Sequence, residues 1–218
     1  MDARNITVTR RKAIEWYNSG DTTLKGIALE AFSKEELECN FEKITTFKEA
    51  CKALGLNYGA IYIRVEDIAT FSRASAAMFK LNIVRKALNL KYDLHLTKKT
   101  KNSQIWYPFN PITTKDCTFY KGELEAGLME VIGKIKSEET LYSVLGGYVD
   151  NFSCGIGLSY FDIPTNVGYT EASIGFLGCA SKEIAQHFGK YFGVLITEAK
   201  YADMVDFEVI EDKYGNTK

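Results

Sequence analysis

No run of about 18 apolar residues occurs in this chain, and no Cys-x-x-Cys spacing or block of like charge is found along it. Each absence removes a class of function. Without the apolar run there is no candidate membrane span, so no membrane insertion is expected. The opening MDARNITVTRRKAIEW also lacks the continuous apolar core of a secretory signal peptide. Five cysteines, Cys39, Cys51, Cys117, Cys154 and Cys179, are odd in number and scattered. That pattern fits reduced thiols in a cytoplasm better than a disulfide framework or a zinc site. A net charge of −1 with interspersed signs gives no long-range field to gather polyphosphate, so nucleic acid is not an expected partner.

Chemistry-bearing motifs are equally scarce. The two histidines, His95 and His187, fall in different elements with no companion at metal-ligand spacing, so no metal and no cofactor are expected. There is no Gly-x-Ser-x-Gly, no P-loop and no dinucleotide-binding glycine pattern. Cys154 has no neighbouring base or positive field to make it a nucleophile. Asp150 and Asp162 would serve glycoside cleavage only if the fold set them across one cleft at roughly 5–10 Å. No catalytic residue is assigned, and the chain is not read as an enzyme.

What is present is an ordinary globular composition, 46% hydrophobic and 25% charged over 218 residues, enough for one sizeable domain or two small ones. The first third carries helix signals. Thr9 can cap RRKAIEWYN, which stops near Gly20, and Asp21 or Thr22 can start TLKGIALEAF. Ser33 with Glu36 and Thr46 with Glu49 form two capping boxes, ahead of KEELE and of FKEACKAL closed by Gly55. Ser72 to Asn89 reads as one longer helix.

Beyond Asn89 the period changes to two. YDLHLT and SQIWYPF predict a hairpin from about Tyr92 to Phe109, with Pro108 and Pro111 marking an edge or an exit. LMEVIGKIK and TLYSVLGGY predict a second hairpin around SEE, with Met129, Val131, Gly133 and Ile135 facing one way. An apolar strand is expected from Ser173 to Leu177. Ser181 should cap a final helix whose stripe of Ile184, Phe188, Tyr191, Leu195 and Ala199 packs on the sheet. Gly189 and Gly193 within it should admit a close neighbour. DFEVIEDKYGNTK should add an edge strand and then fray. The fold class is α+β: a helical region over 1–89, then a compact antiparallel sheet with a C-terminal helix over 90–218.

Between Gly146 and Tyr169 the chain reads GGYVDNFSCGIGLSYFDIPTNVGY. Tyr, Asn, Ser, Asp and Gly dominate antibody recognition loops, because rings give contact area at small entropic cost and short polar groups adapt. From Thr140 to Thr170 there is no Lys, Glu, Gln, Met or Trp, although those types make up about a fifth of the chain. They are the five amino acids that codons ending in C or T cannot encode. Variation of the first two bases of an AAC or AAT codon reaches the other fifteen and never a stop. The competing reading is a set of glycine turns with Phe152, Tyr160 and Phe161 tucked into a core.

LYSVLGG, the glycine-rich stretch, GLS, VGY and SIGFLGCASKEIAQHFGKYFG together resemble the hypervariable proteins of gut Bacteroides and their phages. The N-terminal AIEWYNSGDTTLKGIALEAFSKEEL resembles the leader of those phage proteins. They are in turn similar to the variable proteins of diversity-generating retroelements, which display adenine-mutagenised residues on a C-type-lectin-like scaffold. Two features depart from that pattern: Leu177 stands where an arginine closes the lectin-like scaffold, and about forty residues follow it.

The resemblance implies a C-type-lectin-like sheet and a non-catalytic, receptor-binding or adhesin-like role at a virion or cell surface after synthesis in a bacterial cytoplasm. The partner would be a host-cell surface protein or glycan, and a homo-oligomer is compatible with it. Tyr148, Asp150, Asn151, Phe152, Tyr160, Phe161, Asp162, Thr165, Asn166 and Tyr169 would be the changeable contacts of a variable segment over about 146–170. Gly146, Gly147, Gly155, Gly157 and Gly168 would set its backbone, with positive φ expected at Gly157 and Gly168. The alternative class is a structural virion or assembly protein in which this segment is only packed.

Overall fold

The computed structural model describes residues 8–38, 40–92, 104–114, 118, 120–147, 157–162, 177–204 and 206–217. Its first half is helical, and the caps read from the sequence start the helices. Thr9 accepts from the Lys12 amide at the head of α1 (Arg10–Asn18). Asp21 accepts from Thr23 and Leu24 at the head of α2 (Thr22–Ala31). The Ser33/Glu36 box opens α3 (Lys34–Glu38), and the Thr46/Glu49 box opens α4 (Phe47–Ala53). Each cap satisfies amides that have no partner within the helix.

α5 (Tyr58–Ala69), which the sequence reading did not single out, starts where the Asn57 side chain accepts from the Ala60 amide. α6 (Arg73–Leu88) runs from Ser72 to Asn89 as expected. α4 and α5 pack against it, and so does a helix from the far end of the chain.

The second half supplies an antiparallel four-stranded sheet of, in spatial order, β2 (Ile112–Thr114), β4 (Thr140–Gly147), β3 (Met129–Ser137) and β6 (Glu208–Asp212), and a separate antiparallel pair of β1 (Gln104–Phe109) and β5 (Gly157–Asp162). β1 pairs with β5; the first strand of the hairpin expected from Tyr92 lies outside the described residues. Pro111 marks the exit from β1, and β2 then joins β4. α7 (Lys121–Glu125) leads into the expected hairpin of β3 and β4.

The one-sided alternation expected along β3 is corrected. The register shifts between Val131 and Gly133, so Ile132 is buried with Ile135 while Val131 is 39% exposed. Met129 packs with Leu145 in a different cluster, beneath Tyr120 and Leu124. A bulge inserts one residue and turns the following side chains over, which period-two counting cannot anticipate.

α8 (Lys182–Tyr201), capped by Ser181, is buried along most of its length. Ile184, Phe188 and Leu195 are fully buried, but chiefly with Leu81, Val84 and Leu88 of α6 and Phe47 of α4 rather than on the sheet, and Tyr191 is only half-buried. The sheet meets a different face, through Val194, which clusters with Ile132, Ile135 and Val144. The helix is apolar enough on both faces to be the shared wall of two cores, whereas a single stripe was looked for. The strand expected over 173–177 lies outside the described residues except for Leu177, which is buried in the helical core.

β6 (Glu208–Asp212) is an edge strand on β3, as expected, but the chain beyond it does not fray. Asn216 is 2% exposed, accepts from the Phe47 amide at 2.9 Å and donates to the Thr45 and Tyr191 carbonyls. Lys80 of α6, itself buried, donates to the Asn216 and Thr217 carbonyls at 3.3 Å. The architecture is α+β.

Candidate functional site

The glycine-rich segment begins in β4, and its stretch 157–162 forms β5. Gly146, near the end of β4, is buried, and a side chain there would have its first carbon 2.9 Å from Ile132 Cγ2. Within the segment, Tyr160, Phe161 and Asp162 lie in β5, opposite Trp106, Ile105 and Gln104 of β1. Gly157 opens that strand opposite Phe109. Both β1 and β5 pack beside α8. The structure therefore gives three of the ten expected contact residues a strand position. Tyr148, Asp150, Asn151, Phe152, Thr165, Asn166 and Tyr169 lie outside the described residues, as do Gly155, Gly168, Cys154 and His95.

α8 is seated by a small-residue contact. The Asn110 amide nitrogen donates to Gly189 O at 2.8 Å and to Leu145 O at 2.9 Å, tying the helix to β4. A side chain at Gly193 would meet that same amide, and its first carbon would lie 2.5 Å from Ile132 Cδ1. The close approach expected from Gly189 and Gly193 is thus made by the sheet and by Asn110, a buried residue with no local sequence signal.

A cleft opens between the α7–β3 junction and the first half of α8. Leu128 and Glu130 line one side; Lys182, Glu183, Gln186, His187 and Lys190 of α8 line the other. Glu130 takes three partners: Lys190 at 3.4 Å, the Tyr214 hydroxyl at 3.0 Å and the Lys213 ammonium. Burial works to raise its pKa, but the hydrogen bonds from Lys213 and Tyr214 and the Lys190 charge hold the carboxyl below its ordinary range. Burial, then the bond to Glu130, pushes the Tyr214 phenol up to about 12. Glu183, in the first turn of α8, is held low by its own amide and the Ser181 hydroxyl.

His187 bonds through Nε2 to the Ile44 carbonyl at 2.8 Å and packs between Phe41 and Tyr191. A carbonyl only accepts, so Nε2 carries the proton and the neutral ring keeps Nδ1 as its acceptor. Burial lowers the pKa of this ring. Elsewhere, Glu198, raised by burial, meets Arg73 at 3.2 Å. Cys51 and Cys179 are buried free thiols, and burial pushes Cys179 up to about 12. Such thiols are poor nucleophiles.

Among the described residues no group of three His, Cys, Asp or Glu is placed to hold a metal ion, and no helix is long and apolar enough to cross a membrane. Comparison with protein-family models, with curated proteins and with solved structures finds no match for the chain.

Proposed function

We propose that this chain is a non-catalytic ligand-binding protein, receptor-binding or adhesin-like and encoded by a phage or prophage, that displays a changeable surface over about 146–170. A host-cell surface protein or glycan is its partner. The observation that carries the reading is the residue usage from Thr140 to Thr170, confined to the fifteen types that codons ending in C or T encode. The scaffold described above is consistent with it: the segment starts from a buried Gly146 in β4, and its stretch 157–162 pairs with β1. The C-type-lectin-like character of the scaffold belongs to this proposal too, resting on the sequence resemblance over about Glu130 to Cys179.

Sister copies of the gene test the reading directly. Substitutions should fall within the segment, at codons ending in C or T, and a reverse transcriptase with an adenine-rich near-copy of the segment should lie nearby. Substitutions spread evenly along the gene would instead assign the segment to packing in a virion or assembly protein.

A protein-level test replaces Tyr148, Phe152 and Tyr169 together by Ser. Host-cell attachment should be abolished while the thermal midpoint stays almost unchanged, since contact aromatics contribute to binding rather than to folding. Unfolding of the triple variant would show that these rings are core.

A further inference from the structure

The cleft between the α7–β3 junction and α8 lies at the foot of the glycine-rich segment. β3 pairs with β4 so that Met129 and Glu130 stand opposite Gly147 and Gly146, the last described residues before position 148. Lys182, Glu183 and Gln186 open α8 a few residues after Leu177, where the described chain resumes. The start of the segment therefore lies beside one wall of the cleft, whose volume of about 770 Å³ falls within the size range of small-molecule sites.

Its described lining is chemically mixed. Lys182 and Lys190 bring positive charge, Glu130 and Glu183 negative charge, and Gln186 both a donor and an acceptor. A simple anion would meet the two carboxylates, and a simple cation the two ammonium groups. Leu128, which is 47% exposed, gives the cleft an apolar edge. A hydroxyl group both donates and accepts, so closely set hydroxyls match such a lining without a net charge to neutralise.

We infer that this cleft is a fixed subsite for a neutral saccharide unit, with Gln186, Glu183 and Lys182 contacting sugar hydroxyls and Leu128 covering one edge. The inference rests on the ligand-binding reading above and narrows its partner to a neutral glycan. Glu130 acts indirectly: bound to Lys190, Lys213 and Tyr214, it holds that wall in place.

The test uses the full chain on an array of neutral, sialylated and sulfated oligosaccharides, with host-cell attachment measured in parallel. Leu128→Trp fills the cleft from its lip, and Gln186→Ala and Glu183→Ala each remove a polar contact. Neutral oligosaccharides should be retained by the native chain, with Kd raised at least about tenfold by Leu128→Trp and by Gln186→Ala at unchanged thermal midpoint. Should Leu128→Trp lower the midpoint, Glu183→Ala on the exposed first turn of α8 gives the reading instead, as a loss of several fold.

Retention of sialylated or sulfated glycans alone would overturn the inference, as would capture of no glycan or cleft variants that bind like the native chain. If those variants bind normally while the triple Ser variant loses attachment, the subsite falls and the display reading stands. The opposite pattern keeps the subsite and removes the display surface.

Discussion

Asn110 and Gly193 seat α8 on the sheet by opposite means, one supplying a buried amide and the other withholding a side chain. Gly193→Ala would drive a methyl into the Asn110 amide and Ile132 Cδ1, in a contact with no slack. Overpacking of this kind costs roughly 1–3 kcal/mol, and chemical denaturation of the variant should give a loss in that range. Asn216 has the same character. It bonds to the backbone of residues far away in sequence, and nothing in YGNTK distinguishes it from a frayed end. Polar residues buried in this way are hard to foresee because their partners are carbonyls and amides, which every residue carries.

Among the elements, the helices were the most legible, because a cap is a local contract between a side chain and amides two or three residues on. Thr9, Asp21, Ser33, Thr46, Ser72 and Ser181 all start helices in the structure. α5 carries the same signal in Asn57. Along β3 the single bulge was invisible to a count of alternation, and it exchanged Val131 for Ile132 in the core.

α8 was found, but its neighbours were not, since a stripe says that a face is buried and not what buries it. Leu195 on that helix is fully buried, so Leu195→Ala should cost about 2–5 kcal/mol. A loss well under about 1 kcal/mol in thermal or denaturant unfolding would mark the helix as peripheral.

The same helix makes stability depend on pH. Burial lowers the His187 pKa below the ordinary 6.5, so the unfolded chain takes up the proton first as the medium is acidified. The contribution of the neutral ring is complete above about pH 6.5 and is lost as pH falls through the folded-state value. Glu198, raised by burial, works in the opposite direction. His187→Gln keeps a donor for the Ile44 carbonyl without titrating. Between pH 7 and pH 5, roughly the interval in which histidine titrates, its denaturation midpoint should fall less than that of the native chain. Equal falls would mean that His187 titrates alike in both states.

For the whole molecule, the main core draws residues from both sides of the boundary expected near Asn89: Leu81, Val84 and Leu88 pack with Ile184, Phe188 and Leu195. A fragment of residues 1–92 leaves that face of α6 uncovered. It should show helical far-ultraviolet circular dichroism with poorly dispersed amide resonances and no cooperative melting. A sharp cooperative transition would establish the helical region as a domain in its own right. The candidate site was legible in part only, for a related reason: the glycine-rich stretch announces itself by composition, whereas the cleft joins residues 127–130 to 182–190 and exists only after the sheet and α8 have met.

Order of synthesis gives that long-range packing a further consequence. α6 leaves the ribosome roughly 90 residues before α8, which at roughly 5–20 residues per second is a wait of about 5–20 s. Throughout it, the apolar face of α6 has no cover, and the glycine-rich stretch emerges before the helix that closes the core. That stretch is therefore first a tether between two halves of an unfinished core. Lengthening such a tether is cheap, about 0.6 kcal/mol per doubling, but an apolar one would offer the waiting face of α6 a wrong partner. A glycine-rich tether with few long apolar runs is what this order of events tolerates.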